Sequence, residues 1–344
     1  MKRFFLVLFF LVLSIGIFMG ILEYSKEQKS MEEATVEKIR TVRVYTDFPI
    51  DVLSRVGEKF REETEISVEF VSVEDKALFG RNDNDGSAPD LYITSLENLD
   101  YLKRNKNLAI YSSPVTDVTL NLFKDQDCYW YGVWIDPFVF VANKDFIQKY
   151  PLFSYNWTSV LTNNTFDISL TDFFSSDMSG DLLMMLIEHF GQKEAFSLLN
   201  MSKAHIVQYG RYLSTPSRLV GMGKCDIGIS NYNEAIRTQR EKIPVTIFYP
   251  TDGTGWYLYG VGLSRESKDS DDAKKFIDWL CEPKKYKKIM EDNNYHYIYL
   301  NDEDAKPDKN GTELTYWDLQ KKYSDEGKKE ILDYWMENIR FGRK

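Results

Sequence analysis

An α/β fold of two domains is what the chain predicts. From Thr41 onward, β-branched and aromatic runs alternate with amphipathic helical stretches, and 344 residues suffice for two lobes, each with its own core. The first strand is "VRVYTDF" (Val42 to Phe48), apolar with a polar end. In the next stretch, "PIDVLSRVGEKFREET", Ile50, Leu53, Val56 and Phe60 recur on one helical face, and "ISVEFVSV" follows as a second strand, completing a βαβ unit. The segment "APDLYIT" predicts a third strand. After it, "SLENLDYLKRN" predicts a helix capped by Ser95, with Glu97 and Asp100 in its first turns. A fourth strand, "DPFVFVAN", follows the aromatic stretch Tyr129 to Trp134. The second series runs strand "FDISL", helices "SGDLLMMLIEHF" and "QKEAFSLL", strand "HIVQY", helix "PSRLVGMG", strand "CDIGIS", helix "NEAIRTQRE" and strand "PVTIFYP". The chain then returns through "GWYLYGVGLS" to the helix "DSDDAKKFIDWLC", with no internal repeat. Such alternation builds mostly parallel sheets, whose ligands sit at strand carboxyl ends beside helix N-termini.

Composition narrows the partners. With 53 acidic against 43 basic residues the formal net charge is -10, which disfavours nucleic acid and anionic membrane surfaces. Aromatic residues make up 15% of the chain, enough to fill cores and to line a cleft. Cys128, Cys225 and Cys281 are widely spaced and odd in number, so buried thiols are expected and no metal spacing occurs.

The N-terminus places the body outside the cytoplasmic membrane, at the cell surface or in the periplasm. Lys2 and Arg3 precede an apolar run from Phe4 to Leu22, about 28 Å of helix and near the thickness of a hydrocarbon core. Residues 1–22 therefore read as a signal peptide or an uncleaved membrane anchor. The anchor is preferred, because the small-residue site Ser14-Ile15-Gly16 would leave Ile17-Phe18-Met19 at a new end. Residues 23–40, charged and without periodicity, form a tether.

No enzyme constellation is present. His189, His205 and His296 are scattered, and "GMGKC" lacks both the upstream glycine and the Ser/Thr of a phosphate loop. "RNDNDG" (Arg81 to Gly86) has Arg81 where a calcium loop needs its first Asp, and reads as a solvated turn.

Four ordered segments carry a family resemblance: "VRVYTDFPIDVLSRVGEKFREETEISVEFV", "APDLYITSLENLDYLKRNKNLAIYSSP", "STPSRLVGMGKCDIGISNYNEAI" and "VGLSRESKDSDDAKKFIDWLCEPKKYKKIM". Over roughly residues 42–300 the chain resembles the extracellular solute-binding proteins of ABC importers, in the branch of ferric-iron, thiamine, phosphonate and sugar-phosphate binders. The resemblance implies a type 2 periplasmic-binding-protein-like α/β fold: two lobes, each a mixed sheet flanked by helices, with a cleft between them. It also implies a hinged monomer with no chemistry and no cofactor of its own, handing a small-molecule solute to a permease and its ATPase subunits. Lobe one would be discontinuous, residues 41–134 plus 249–301, with lobe two at 135–248. Residues 302–344 lie outside the match as a C-terminal helical extension. Trp317, Tyr323, Trp335 and two helices are expected to pack it on a lobe.

Candidate ligand contacts follow the resemblance. In iron-binding members two adjacent tyrosines stand where this chain has Tyr232-Asn233. With the second absent, only Tyr232 and Asp47 remain for a hard trivalent ion, so a small organic solute is expected and no metal. Tyr232, with Asn231 beside it, then forms a cleft wall. Thr46 and Asp47 at the end of the first strand, Thr94 and Ser95 at the end of the third, and Trp134 would face the cleft from lobe one. Ser179, Thr215 and Ser217 at helix starts would face it from lobe two. Each hydroxyl has an equally good reading as a plain helix cap, worth about 1 kcal/mol. Two alternatives stay open: a ferric-iron-binding protein of an iron importer, and a tethered sensor ectodomain with a signalling partner.

Overall fold

The computed structural model describes residues 40–73, 88–267, 270–302, 314–319 and 323–342. The apolar run 4–22, nearly all of the tether and the "RNDNDG" turn lie outside the described residues. Among the described residues eleven strands appear in chain order: β1 Thr41–Thr46, β2 Ser67–Ser72, β3 Leu91–Ser95, β4 Leu108–Ala109, β5 Trp130–Asn143, β6 Ile168–Thr171, β7 Ile206–Gly210, β8 Ile227–Asn231, β9 Val245–Phe248, β10 Trp256–Ser264 and β11 Ile298–Tyr299. The helices are α1 Ile50–Thr64, α2 Leu96–Arg104, α3 Pro114–Asp117, α4 Lys144–Lys149, α5 Trp157–Thr162, α6 Asp177–Phe190, α7 Gln192–Ser202, α8 Thr215–Gly221, α9 Tyr232–Arg240, α10 Ser270–Leu280, α11 Lys287–Asp292 and α12 Asp325–Trp335.

Strand order is β2-β1-β3-β10-β5-β8-β6-β7, and β5 is the member common to both halves. Its first half pairs antiparallel with β10, as far as Pro137 opposite Trp256. From Phe138 onward it pairs with β8 and β9 instead. The exchange of partners falls at Pro137, which has no N–H to give a ladder. Here the structure corrects the sequence reading, which started the strand at Asp136. Trp130 to Ile135 already belong to it, and they show no period of two because both faces are buried.

Each half has its own core. In one, the α1 face of Val52, Leu53, Val56 and Phe60 packs with Val44, Phe276 and Trp279; in the other, Trp157, Leu183 and Phe140 pack with Ile168 and Ile229. Full burial of one such side chain is worth about 1.5–3 kcal/mol. Gly57 lets α1 lie close on β2, since a Cβ there would meet the Phe70 ring at 2.8 Å.

The C-terminal extension packs into the second of these cores and against a further cluster that contains Phe123. Trp335 is fully buried against Phe173 and Tyr209, at ring separations of 4.8 and 5.7 Å. Upstream, Trp317 stacks on His189 at 4.2 Å and Tyr316 meets Phe123 at 5.3 Å. The turn that receives Trp317 favours Gly253, whose φ is +81° and where a Cβ would press on the Trp317 ring at 3.0 Å. The last turn after α12, Met336–Arg340, is a π-helix rather than a second α-helix.

Candidate functional site

A cleft of about 580 Å³ lies where the carboxyl ends of β1 and β3 face the start of α6. Asp47, Ser95, Glu97 and Asn98 form one wall and Ser176, Asp177, Met178 and Leu213 the other, while Tyr257 and Tyr259 of β10 and Asp325, Lys328, Lys329 and Leu332 of α12 also line it. Asp47 is the best-defined group. Its Oδ2 accepts from Thr94 Oγ1 at 2.7 Å and from Asn98 Nδ2 at 2.9 Å, while Asn98 also donates to Thr94 at 3.0 Å. The buried Oδ1 has no hydrogen-bond partner among the described residues. Burial raises the Asp47 carboxyl above its ordinary range, against the bonds from Thr94 and Asn98 that favour its ionised form.

Three expected residues meet here: Asp47 and Ser95 line the cleft, and Thr94 holds Asp47. Ser95 also caps α2, accepting from the Asn98 N–H at 3.4 Å. Thr46 is fully buried, with Oγ1 accepting from the Phe48 N–H at 3.0 Å to shape the turn beneath. Trp134 is fully buried too; its ring packs 5.1 Å from Phe48 and stacks 6.0 Å from Tyr297, so it does not line the cleft.

On the facing wall the register differs from expectation. The hydroxyl that caps α6 is Ser176. Ser179 answers it from the third helical position, with bonds of 3.2 and 3.1 Å closing a capping box, and is itself buried with Oγ donating to Asp172 O. Thr215 is the first residue of α8, its Oγ1 accepting from the Tyr212 N–H at 3.3 Å. Ser217 is buried, bonding Thr238 at 2.8 Å and so tying α8 to α9. Neither lines the cleft.

The stretch Asn231-Tyr232-Asn233 serves the start of α9. Asn231 Nδ2 donates to Asp136 Oδ2 at 2.7 Å, and the Asn233 N–H donates to Asp136 Oδ1 at 2.9 Å. Full burial raises the Asp136 carboxyl to about 7 despite these two donors. The Tyr232 ring stacks on Tyr249 at 6.4 Å in an apolar layer with Ile247, away from the cleft.

A second recess of about 320 Å³ shares Ser176 and Leu213 with the cleft and is lined by Arg211, Arg218 and Arg237. Glu234 pairs with Arg237 at 2.7 Å and Glu241 with Arg218 at 2.6 Å. The cleft lining is thus mixed in charge, with Asp47, Glu97, Asp177 and Asp325 against Lys328 and Lys329, and the guanidinium groups of Arg218 and Arg237 in the neighbouring recess are each paired with a glutamate.

Asn98, Tyr257, Tyr259 and Ser176 were missed. Tyr257 and Tyr259 could have been found, because the alternation in "WYLYGVG" puts both on one strand face. Asn98 lies four residues after Thr94, on the first turn of α2, and is also within reach of pattern reading.

Residues 93–323 match the family model described as bacterial extracellular solute-binding protein, and the chain belongs to that family. Its members and the structures below are binding proteins of the type 2 class that serves ABC importers, not enzymes. A protein of Haemophilus influenzae is 24% identical over 181 residues, 52% of each chain, so the chain spans about half that relative's length. AfuA from Actinobacillus pleuropneumoniae, solved with fructose-6-phosphate, superposes with a TM-score of 0.66 at 18% identity, covering 89% of this chain and 100% of that one. Ferric iron-binding protein A of Mannheimia haemolytica, in an open conformation, gives 0.69 at 18% identity with the same coverages. Iron-bound HitA from Pseudomonas aeruginosa gives 0.67 at 16%, covering 86% and 97%. These likenesses establish the two-lobed fold. Among the described residues no helix is long and apolar enough to cross a membrane.

Proposed function

We propose that the protein captures a small polar organic solute between two hinged lobes, residues 41–134 with 249–301 and residues 135–248, and delivers it to an ABC permease. Residues 4–22 hold the body at the membrane, and the protein acts as a monomer. The observation that carries the choice of solute is Asp47: a carboxylate that lines the cleft, oriented by Thr94 and Asn98, whose buried second oxygen has no hydrogen-bond partner among the described residues. Such a group takes hydroxyl or amino donors and repels a phosphate or carboxylate placed beside it. Acceptor groups of the same solute would lie toward the arginine recess. The iron reading loses support because Tyr232 packs on Tyr249 rather than toward Asp47. Native mass spectrometry of protein purified without denaturation tests the proposal. A retained organic mass that is lost in Asp47→Ala is expected; a retained ferric ion would overturn it.

A further inference from the structure

The C-terminal helix places an ammonium group between the two lobes. Lys328, on the first turn of α12, bonds Asp181 of α6 at 2.6 Å and, on its other side, Glu97 of α2. Glu97 belongs to residues 41–134 and Asp181 to residues 135–248, so one cation binds carboxylates from both lobes. All three side chains are largely covered, at 21% exposure for Lys328, 30% for Glu97 and 16% for Asp181. The helix that carries Lys328 is fixed to lobe two by Trp335, buried against Phe173 and Tyr209. Arg340 reinforces it, 3.9 Å over the Tyr209 ring and 3.4 Å from Asp172. Movement of the lobes about β5 must therefore separate the Lys328 ammonium from Glu97 and break the one contact it makes to residues 41–134 among the bonds described above.

We propose that Lys328 is a built-in latch, doing from within the chain what a bound solute does in a hinged binder: it contacts both lobes at once and holds them closed. Because α12 is attached to lobe two, the ammonium is present at high effective concentration and no solute is needed to supply it. The closed state is then the resting state, and solute adds to it rather than creating it. The latch rests on the reading of two hinged lobes.

Spin labels at Arg61→Cys on lobe one and Lys193→Cys on lobe two, both exposed, in a Cys128→Ser background of the full-length detergent-solubilised chain, read the inter-lobe distance. Solute-free protein with Lys328 should give one short distance. Lys328→Met should raise the open-to-closed ratio by about tenfold or more, and Lys328→Arg should stay closed. Lys328→Met also leaves Glu97 facing Asp181, so the neutral triple variant Glu97→Gln, Asp181→Asn, Lys328→Met separates lost attraction from new repulsion. An open triple variant supports the latch; a closed one overturns it, as does a Lys328→Met distribution superimposable on that of the unsubstituted chain. If the latch fails while native mass spectrometry still finds a retained solute, the binding function stands without it.

Discussion

Thr94 donates its hydroxyl proton to Asp47 across 2.7 Å, tying the carboxyl end of β3 to that of β1, with Asn98 closing the triangle. The arrangement fixes one carboxylate oxygen, while the other, buried, has no hydrogen-bond partner among the described residues, and in the proposed function it is the solute that supplies one. Removing Asp47 should therefore act on binding more than on folding. Asp47→Ala is expected to weaken solute affinity by about 1.5–3 kcal/mol, the usual worth of a hydrogen bond to a charged group. Titration calorimetry with the co-purified solute measures the affinity, and a melting temperature within a few degrees of the parent confirms that the fold is intact.

The same triangle shows what was legible. Asp47, Thr94 and Ser95 could be placed because they follow strand-like runs in a βαβ pattern, and parallel sheets put ligands at those ends. The facing wall could not. Ser176 and Ser179 lie three residues apart at one helix start, and a sequence does not say which of two hydroxyls is the cap and which answers it. Pattern reading also failed where both faces are buried. Trp130 to Ile135 have no alternation, so β5 was cut short and Trp134 was put in the cleft instead of beneath it. The tail was recognised by its aromatics, but contacts as distant in sequence as Lys328 to Glu97 leave no local trace.

Asp136 gives a pH prediction. Its carboxyl titrates near 3.8 when unfolded and is raised to about 7 when folded, so between those values the native state holds the extra proton. Stability linked to this group is thus full below about pH 4, falls as pH rises toward 7, and is flat above. Asp136→Asn keeps the shape and one accepting oxygen for the Asn233 N–H but removes the titration. Urea unfolding at pH 4.5 and pH 8 should show a smaller loss of stability with rising pH in the variant, by on the order of a few kcal/mol.

Tyr232 should behave as a packing residue. With its ring against Tyr249 and Ile247, Tyr232→Ala is expected to lower stability by roughly 1–3 kcal/mol and to leave solute affinity in the folded fraction nearly unchanged. Ferric citrate should produce no phenolate charge-transfer band that Tyr232→Phe abolishes. Thermal melting with calorimetry, and a visible absorbance titration, check the two halves.

The extension should depend on Trp335. An isolated helix of eleven residues, the length of α12, is marginal in water, so α12 owes its order to the face it buries. That face centres on Trp335, fully enclosed by Phe173, Tyr209 and the cluster around Leu199 and Ile339. Trp335→Ala removes the largest side chain at this contact and leaves a cavity that Phe173 cannot fill alone. A cost of about 3–5 kcal/mol follows if the helix stays docked. If the contact is worth more than docking can sustain, α12 detaches and lobe two loses only what the helix covered. Amide exchange separates these outcomes. Faster exchange confined to 325–340 means the helix has come away from a folded lobe, whereas faster exchange through α6, α7 and β7 as well means that Trp335 is part of the lobe-two core itself. The second result is expected, since Trp335 shares one continuous cluster with Leu183, Leu199 and Ile229.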